Sequence, residues 1–353
     1  MLSIRGMKLE RRPAPVWVGP ILPLLAILVT FILTSILIIA AGANPFEAYY
    51  YFLLSPLSNP VSAVEVLVKS TPLLLTGAAV TFAFSAGYWN IGAEGQLLAG
   101  AIAGAGLGMA VEGLPPLPSI LIMIVGGFAA GMAWAAIPAL LKVKMAVDEV
   151  VTTLLMNTVI LFLISFLLNG VWRSPVTGWP QSPEIAANAH FPRILPQSRL
   201  HLGFVLGWIA IGSLWLVLKR TPLGMKMRAS GEGKEAARFA GINVEQTMLT
   251  AALVSGGIAG LAGVSEVAGI HFHLIDAIAG GYGYTGIIVA MLGGLNAFGV
   301  ALAGLFIGLI ETGAQAVSRS LGVPIYLGNV VEAALLLVTL AMLVLKNYRI
   351  RRA

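Results

Sequence analysis

Apolar residues in this chain gather into long runs separated by short polar turns, and the brief alternating segments of a closed β-barrel are absent. Runs lie at 21–41, 61–85, from 97 to about 111, and at 119–141, 148–169, 203–218 and 247–269. Three more follow at 284–295, 297–313 and 328–345, the first of which is too short to cross a bilayer unaided and is expected as a half-helix. The pattern predicts an all-α polytopic membrane protein with about ten transmembrane helices. Residues 1–353 then form a single transmembrane domain, with polar loops expected at 44–60, 170–202 and 219–246.

The first run raises a second reading, because Ala41-Gly42-Ala43 looks like a signal-peptide cleavage site. The run exceeds the usual length of a signal-peptide core, so a retained span is expected. Ten spans place both termini on one side, and cation counting says which. Sixteen of the 21 Lys and Arg residues fall in the two tails, in Lys142/Lys144 and in the loop 219–246. By the positive-inside rule, the termini and that loop are cytoplasmic and 170–202 is extracytoplasmic.

Composition narrows the class further. The chain is 58% hydrophobic and 10% charged, with a mean hydropathy of +0.92. Its 41 glycines suit close helix packing, and the pairs Gly127/Gly131, Gly256/Gly260 and Gly304/Gly308 read as packing faces. With no cysteine, disulfides, thiol catalysis and thiolate metal sites are excluded. The net charge of +6 follows from topology, with contact to anionic lipid, and not from nucleic-acid binding.

Candidate chemistry sits in a few polar stretches. At 87–96, Asn90, Glu94 and Gln96 among glycines are costly in hydrocarbon unless they face protein or water. A broken helix there would free backbone groups to hydrogen-bond a polar solute; a polar knot between spans is the plainer alternative. Glu65 and Lys69 are spaced to pair on one helical face. Glu266, Glu311 and Glu332 lie in or near spans, where a proton relay competes with satisfied helix contacts, and no set of acids and bases shares an obvious face. His271-Phe272-His273 has no third ligand for a metal. Gly231-Glu232-Gly233-Lys234-Glu235 mimics a phosphate loop, but Glu235 stands where Ser or Thr is needed. No metal site and no catalytic constellation is expected.

An internal repeat is hinted at by Gly-Tyr-x-x-x-Gly at 87–92 and again at 281–286, segments that the topology places on opposite faces, as an inverted repeat requires.

In the loop 219–246, Glu235-Ala236-Ala237 opens a short helix that Gly241 closes. Glu-Ala-Ala, three residues, then Gly is similar to the motif by which permease subunits of ABC-type importers dock onto their ATPase. Gly-Tyr-Trp-Asn-Ile-Gly-Ala-Glu-Gly-Gln at 87–96 resembles the signature of the nucleoside and simple-sugar branch of these permeases, which is related to the ribose and branched-chain amino-acid permeases. Further matches are Val68–Leu73, Asp148-Glu149-Val150-Val151 with Met156-Asn157, 224–241 including Arg228-Ala229, 281–287, and Leu292-Gly293-Gly294.

The resemblance implies a heteromeric importer in a prokaryotic cell membrane, with this chain as a multi-pass subunit. Its partners are a second permease chain, identical or homologous, an ABC ATPase subunit and an extracytoplasmic solute-binding lipoprotein. ATP and Mg belong to the ATPase, and no cofactor is expected here. Arg228, Glu235, Ala236, Ala237 and Gly241 are the expected coupling residues. Lys69, Tyr88, Asn90, Glu94, Gln96 and Asn157 are the expected path-lining or gate-supporting groups. The rival is a stand-alone ion-coupled secondary transporter with Glu94 or Glu266 as proton carrier.

Overall fold

The computed structural model describes the backbone of residues 3–4, 7–11, 18–175, 178–278 and 280–352, and the side chains of 21–175, 178–278 and 280–342. It is helical apart from a small sheet. The helices are α1 (Val18–Ala40), α2 (Pro45–Tyr49), α3 (Ser55–Ser58), α4 (Pro60–Ser85), α5 (Ala93–Ala110), α6 (Pro116–Met145) and α7 (Glu149–Asn169). Then come α8 (Leu202–Arg220), α9 (Pro222–Glu232), α10 (Lys234–Phe239), α11 (Val244–Glu266), α12 (Tyr282–Leu292), α13 (Ala297–Leu321) and α14 (Leu327–Asn347). Among the described residues, seven helices are long and apolar enough to cross a membrane: α1, α4, α6, α7, α8, α11 and α13.

Local chemistry explains most boundaries. Asp148 accepts the Val151 N–H at 3.0 Å and caps α7, and Asn243 and Asn296 cap α11 and α13 in the same way. Residues 44–60, expected as a loop, instead form α2, a π-helical turn at Tyr50–Leu54, and α3. Asn44 and Asn59 each precede a proline and accept a backbone N–H two residues on, so these Asn-Pro pairs start helices. The ninth run also continues beyond Gly313 to Leu321, which places Arg319 in the last turn of α13.

The tails depart from the all-α expectation. Strands β1 (Ser3–Ile4), β2 (Met7–Arg11) and β3 (Tyr348–Arg352) form an antiparallel sheet in the order β1-β2-β3, with Met7 opposite Arg352 and Arg11 opposite Tyr348. The pairing holds both ends of the chain at one end of the bundle.

Within the bundle α4 and α11 are central, with 89% and 72% of their apolar windows buried, against 22% for α6 and α7. The glycine faces make the tight crossings. A Cβ at Gly131 would lie 2.2 Å from the Gly256 carbonyl oxygen, and one at Gly260 2.3 Å from that of Gly127. The two Gly-x-x-x-Gly pairs thus pack on each other where α6 crosses α11, and Gly304 and Gly308 meet Leu74 and Ser70 of α4.

Candidate functional site

The segment between α4 and α5 is a buried polar knot with its hydrogen bonds made. Asn90 Nδ2 donates to Gln96 Oε1 at 2.8 Å and Ser255 Oγ at 3.0 Å, while Asn90 Oδ1 accepts from Gln96 Nε2 and the Gly92 N–H. Asn157 of α7 accepts the Gly95 N–H at 2.8 Å and donates to the Ile91 carbonyl and the Tyr284 hydroxyl, each at 3.0 Å. Tyr88 is also buried, and its hydroxyl has no hydrogen-bond partner among the described residues.

Glu94 does something different. Its carboxylate accepts the Gly281 N–H at 2.9 Å and the Gly283 N–H at 2.6 Å, at the start of α12. These donors have no partner within the helix, and a helix N-terminus favours negative charge. α12 has 11 residues, short as the eighth run is, and Glu94 fastens its first turn to α5. Asn157 links the two Gly-Tyr segments, since its Nδ2 donates both to the Ile91 carbonyl and to the Tyr284 hydroxyl.

Above this short helix lies a cavity of about 570 Å³, lined by Lys69 of α4, Glu266 at the end of α11, His271 in the π-helical turn that follows it, Tyr282 and Thr285 of α12, Glu311 of α13 and Glu332 of α14. Lys69 Nζ donates to the Tyr282 hydroxyl at 3.2 Å, Thr285 Oγ1 to Glu332 Oε2 at 3.3 Å, and His271 Nε2 stands 3.8 Å from Glu266 Oε2. The three glutamates, for which no common face was evident, thus meet one lysine around one space. Depth along each helix was the missed signal. Glu311 lies ten residues before the end of α13, Glu332 five after the start of α14, and Lys69 nine after the start of α4. At about 1.5 Å per residue, all sit within some 15 Å of the same end of the bundle. Of the expected path residues, Lys69 lines this cavity; Tyr88, Asn90, Glu94, Gln96 and Asn157 do not.

At that end the long loop is tied down. Ser182, Ile185 and Phe191 donate backbone N–H groups to the carbonyls of Leu274, Phe272 and Ala268, and Arg199 pairs with Glu65. Glu65 therefore bonds outside its own helix and not with Lys69. His201 caps α8 by accepting the Gly203 N–H on Nδ1 at 3.1 Å. Burial lowers its pKa from 6.5 to about 4, so the imidazole is neutral with its proton on Nε2.

At the opposite end, α9 and α10 form a platform. A Cβ on Gly231 would lie 2.6 Å from the Ser85 carbonyl oxygen, so α9 rests on the last turn of α4. Glu235 pairs with Arg238 at 2.6 Å, and Arg238 with Glu245 at 2.5 Å, which ties α10 to the start of α11. Ala237 faces inward, Glu235, Ala236 and Arg228 face outward, and Phe239 is 98% exposed. Gly241 closes the helix at φ +80°, a left-handed conformation that favours glycine.

This arrangement can be set beside known proteins. Residues 62–340 match the family described as the branched-chain amino acid transport system permease component. The glucose ABC transporter permease of Haloferax volcanii is 34% identical over 96% of this chain and 92% of its own length. The guanosine ABC transporter permease NupP of Bacillus subtilis is 31% identical over 90% of this chain and 92% of its own. The nucleoside ABC transporter permease NupB of Lactococcus lactis is 30% identical over 90% and 89%. No solved structure matches the chain. The chain belongs to the branched-chain amino acid transport permease family and is a membrane-spanning permease subunit of an ABC importer.

Proposed function

We propose that this permease passes nucleosides or related simple sugars through the Lys69–Glu266–Glu311–Glu332 cavity, with α12 as the gate beneath it. The observation that carries the reading is a polar cavity walled by a half-helix whose first turn is held by a carboxylate. Carboxylates, a lysine, a threonine and tyrosines offer donors and acceptors that suit sugar hydroxyls and base edges. The relatives named for glucose, guanosine and nucleosides support this cargo class.

In this proposal the chain crosses the membrane ten times, with α5, α12 and α14 joining the seven candidate spans. Both termini and the α9–α10 platform are cytosolic, and an inverted repeat relates the two halves. The partner ATPase, which carries ATP and Mg, docks on Arg228, Glu235, Ala236 and Ala237, with Gly241 shaping the helix. Its closure shifts α9 against Ser85 and Gly87, and the shift passes through the Asn90–Gln96 knot and Glu94 to α12. Asn90, Gln96, Asn157 and Tyr88 support the gate, and Lys69 lines the path. A solute-binding lipoprotein delivers cargo at the loop 170–202.

The second permease is a related chain and not a copy. Bacillus subtilis has a second guanosine permease, NupQ, that is 25% identical to this chain over 70% of it, against 31% over 90% for NupP. The Lactococcus pair shows the same asymmetry.

The test is to purify the tagged chain from its native membrane in mild detergent, beside the double variant Glu235→Arg/Gly241→Trp, and assay ATP hydrolysis. An ATPase that co-purifies with wild type and is lost from the variant is the expected result. A chain that purifies alone and takes up solute on a proton gradient overturns the proposal.

A further inference from the structure

Two further cavities lie at the cytosolic end, away from the cargo path. One, of about 460 Å³, is lined by Lys219 of α8, Arg228 and Glu232 of α9, and apolar walls that include Trp215 and Phe298. The other, of about 600 Å³, is an apolar groove between Leu24 and Ile27 of α1 and the residues from Leu292 to Phe306. They share Asn296 and Phe298, so they adjoin as the two halves of one depression.

Its two halves differ in chemistry. Lys219 and Arg228 make no ion pair among the described residues, and Glu232 is the one acid lining the same space, which leaves an excess of positive charge. Trp215 stands beside them with the Arg220 guanidinium 5.6 Å from its ring centre, an aromatic anchor of the kind found at head-group level. The groove beyond offers only aliphatic and aromatic side chains, glycine backbone and Asn296, whose side chain is occupied with the Gly293 carbonyl and the Gly299 N–H. A soluble anion would use the first half alone, and an apolar solute the second.

We infer that this depression is a binding site for an anionic phospholipid, its phosphate on Lys219 beside Arg228, which the proposed ATPase contact shares, and an acyl chain along the groove of α1 and α13. Basic pockets between helices on the cytoplasmic side are suited to such head groups. The lipid would touch α9, α4 and the turn between α12 and α13 at once, and so brace the platform against the gate. Its consequence is a dependence of coupling on anionic lipid, separate from cargo recognition.

The test is native mass spectrometry of the whole transporter complex, released from nanodiscs of phosphatidylcholine mixed with phosphatidylglycerol. Wild type should retain phosphatidylglycerol in preference, Lys219→Ala should lower that retention about fivefold, and Lys219→Arg should restore it. Leu24→Trp, which fills the groove and leaves the cations in place, should also lower it. Equal retention of the two lipids, or retention unchanged by both Lys219→Ala and Leu24→Trp, overturns the inference. Displacement of the bound lipid by inorganic phosphate as readily as by short-chain phosphatidylglycerol also overturns it, since the site would then take a free anion.

Discussion

At the scale of single residues, the polar side chains of this permease divide by whether their hydrogen bonds are closed. Asn90, Gln96 and Asn157 have donors and acceptors matched inside the protein, so they define geometry and offer little to a passing solute. Lys69 and the three glutamates face a space. His201 fits neither kind: Nδ1 accepts the Gly203 N–H while the buried Nε2 has no partner among the described residues, and this gives a pH prediction. Its folded pKa of about 4 lies below the ordinary 6.5, so the unfolded chain binds more protons between those values. Stability at this site is fully present above pH 6.5 and is lost as the pH falls toward 4, by roughly 1.4 kcal/mol for each unit fully traversed. Melting temperature followed from pH 7.5 down to 4.5 should fall more steeply for wild type than for His201→Gln, and parallel curves would refute the assignment. The residue types of the knot were legible in the sequence, because amides in an apolar chain need partners. Which partners they have was not, since Ser255 lies 165 positions from Asn90.

At the scale of elements, glycine decides how close helices come. A Cβ at Gly260 would sit 2.3 Å from a carbonyl oxygen of α6, a contact with backbone that no rotamer relieves. Gly260→Leu should therefore cost about 1–3 kcal/mol or more by overpacking. Gly212, with nothing within 4 Å of its Cβ position, is the control, and Gly212→Ala should be neutral or stabilise α8 by up to about 1 kcal/mol. Thermal unfolding in detergent checks both, and equal effects would mean that the α6–α11 crossing is looser than described. Such faces could be read from their four-residue spacing, as could the seven long apolar helices from their lengths. The segment 44–60 reads as a loop because it is polar, although each of its Asn-Pro pairs is also a helix start. The β2–β3 pairing joins residues more than 330 positions apart, and no local pattern signals it.

At the scale of the whole molecule, the architecture joins two ends of a membrane protein through its centre. α9 rests on the last turn of α4 and on Gly87, the chain from Gly87 runs through Asn90 to Glu94, and Glu94 holds the first turn of α12 beneath the cavity. The family could be recognised from the 87–96 and 224–241 motifs, but the cavity could not, because it draws single residues from α4, α11, α12, α13 and α14. The central claim is that Glu94 transmits movement of the platform to the gate. Its most direct measurement is cargo uptake per ATP hydrolysed, by the complex with its ATPase and binding protein in proteoliposomes, for wild type and Glu94→Ala. Removing the acceptor of two backbone N–H groups forfeits charge-assisted hydrogen bonds of about 1.5–3 kcal/mol each. The account predicts that Glu94→Ala still hydrolyses ATP while uptake per ATP falls tenfold or more. Uptake per ATP equal to wild type, in a complex that melts at the wild-type temperature, would contradict it.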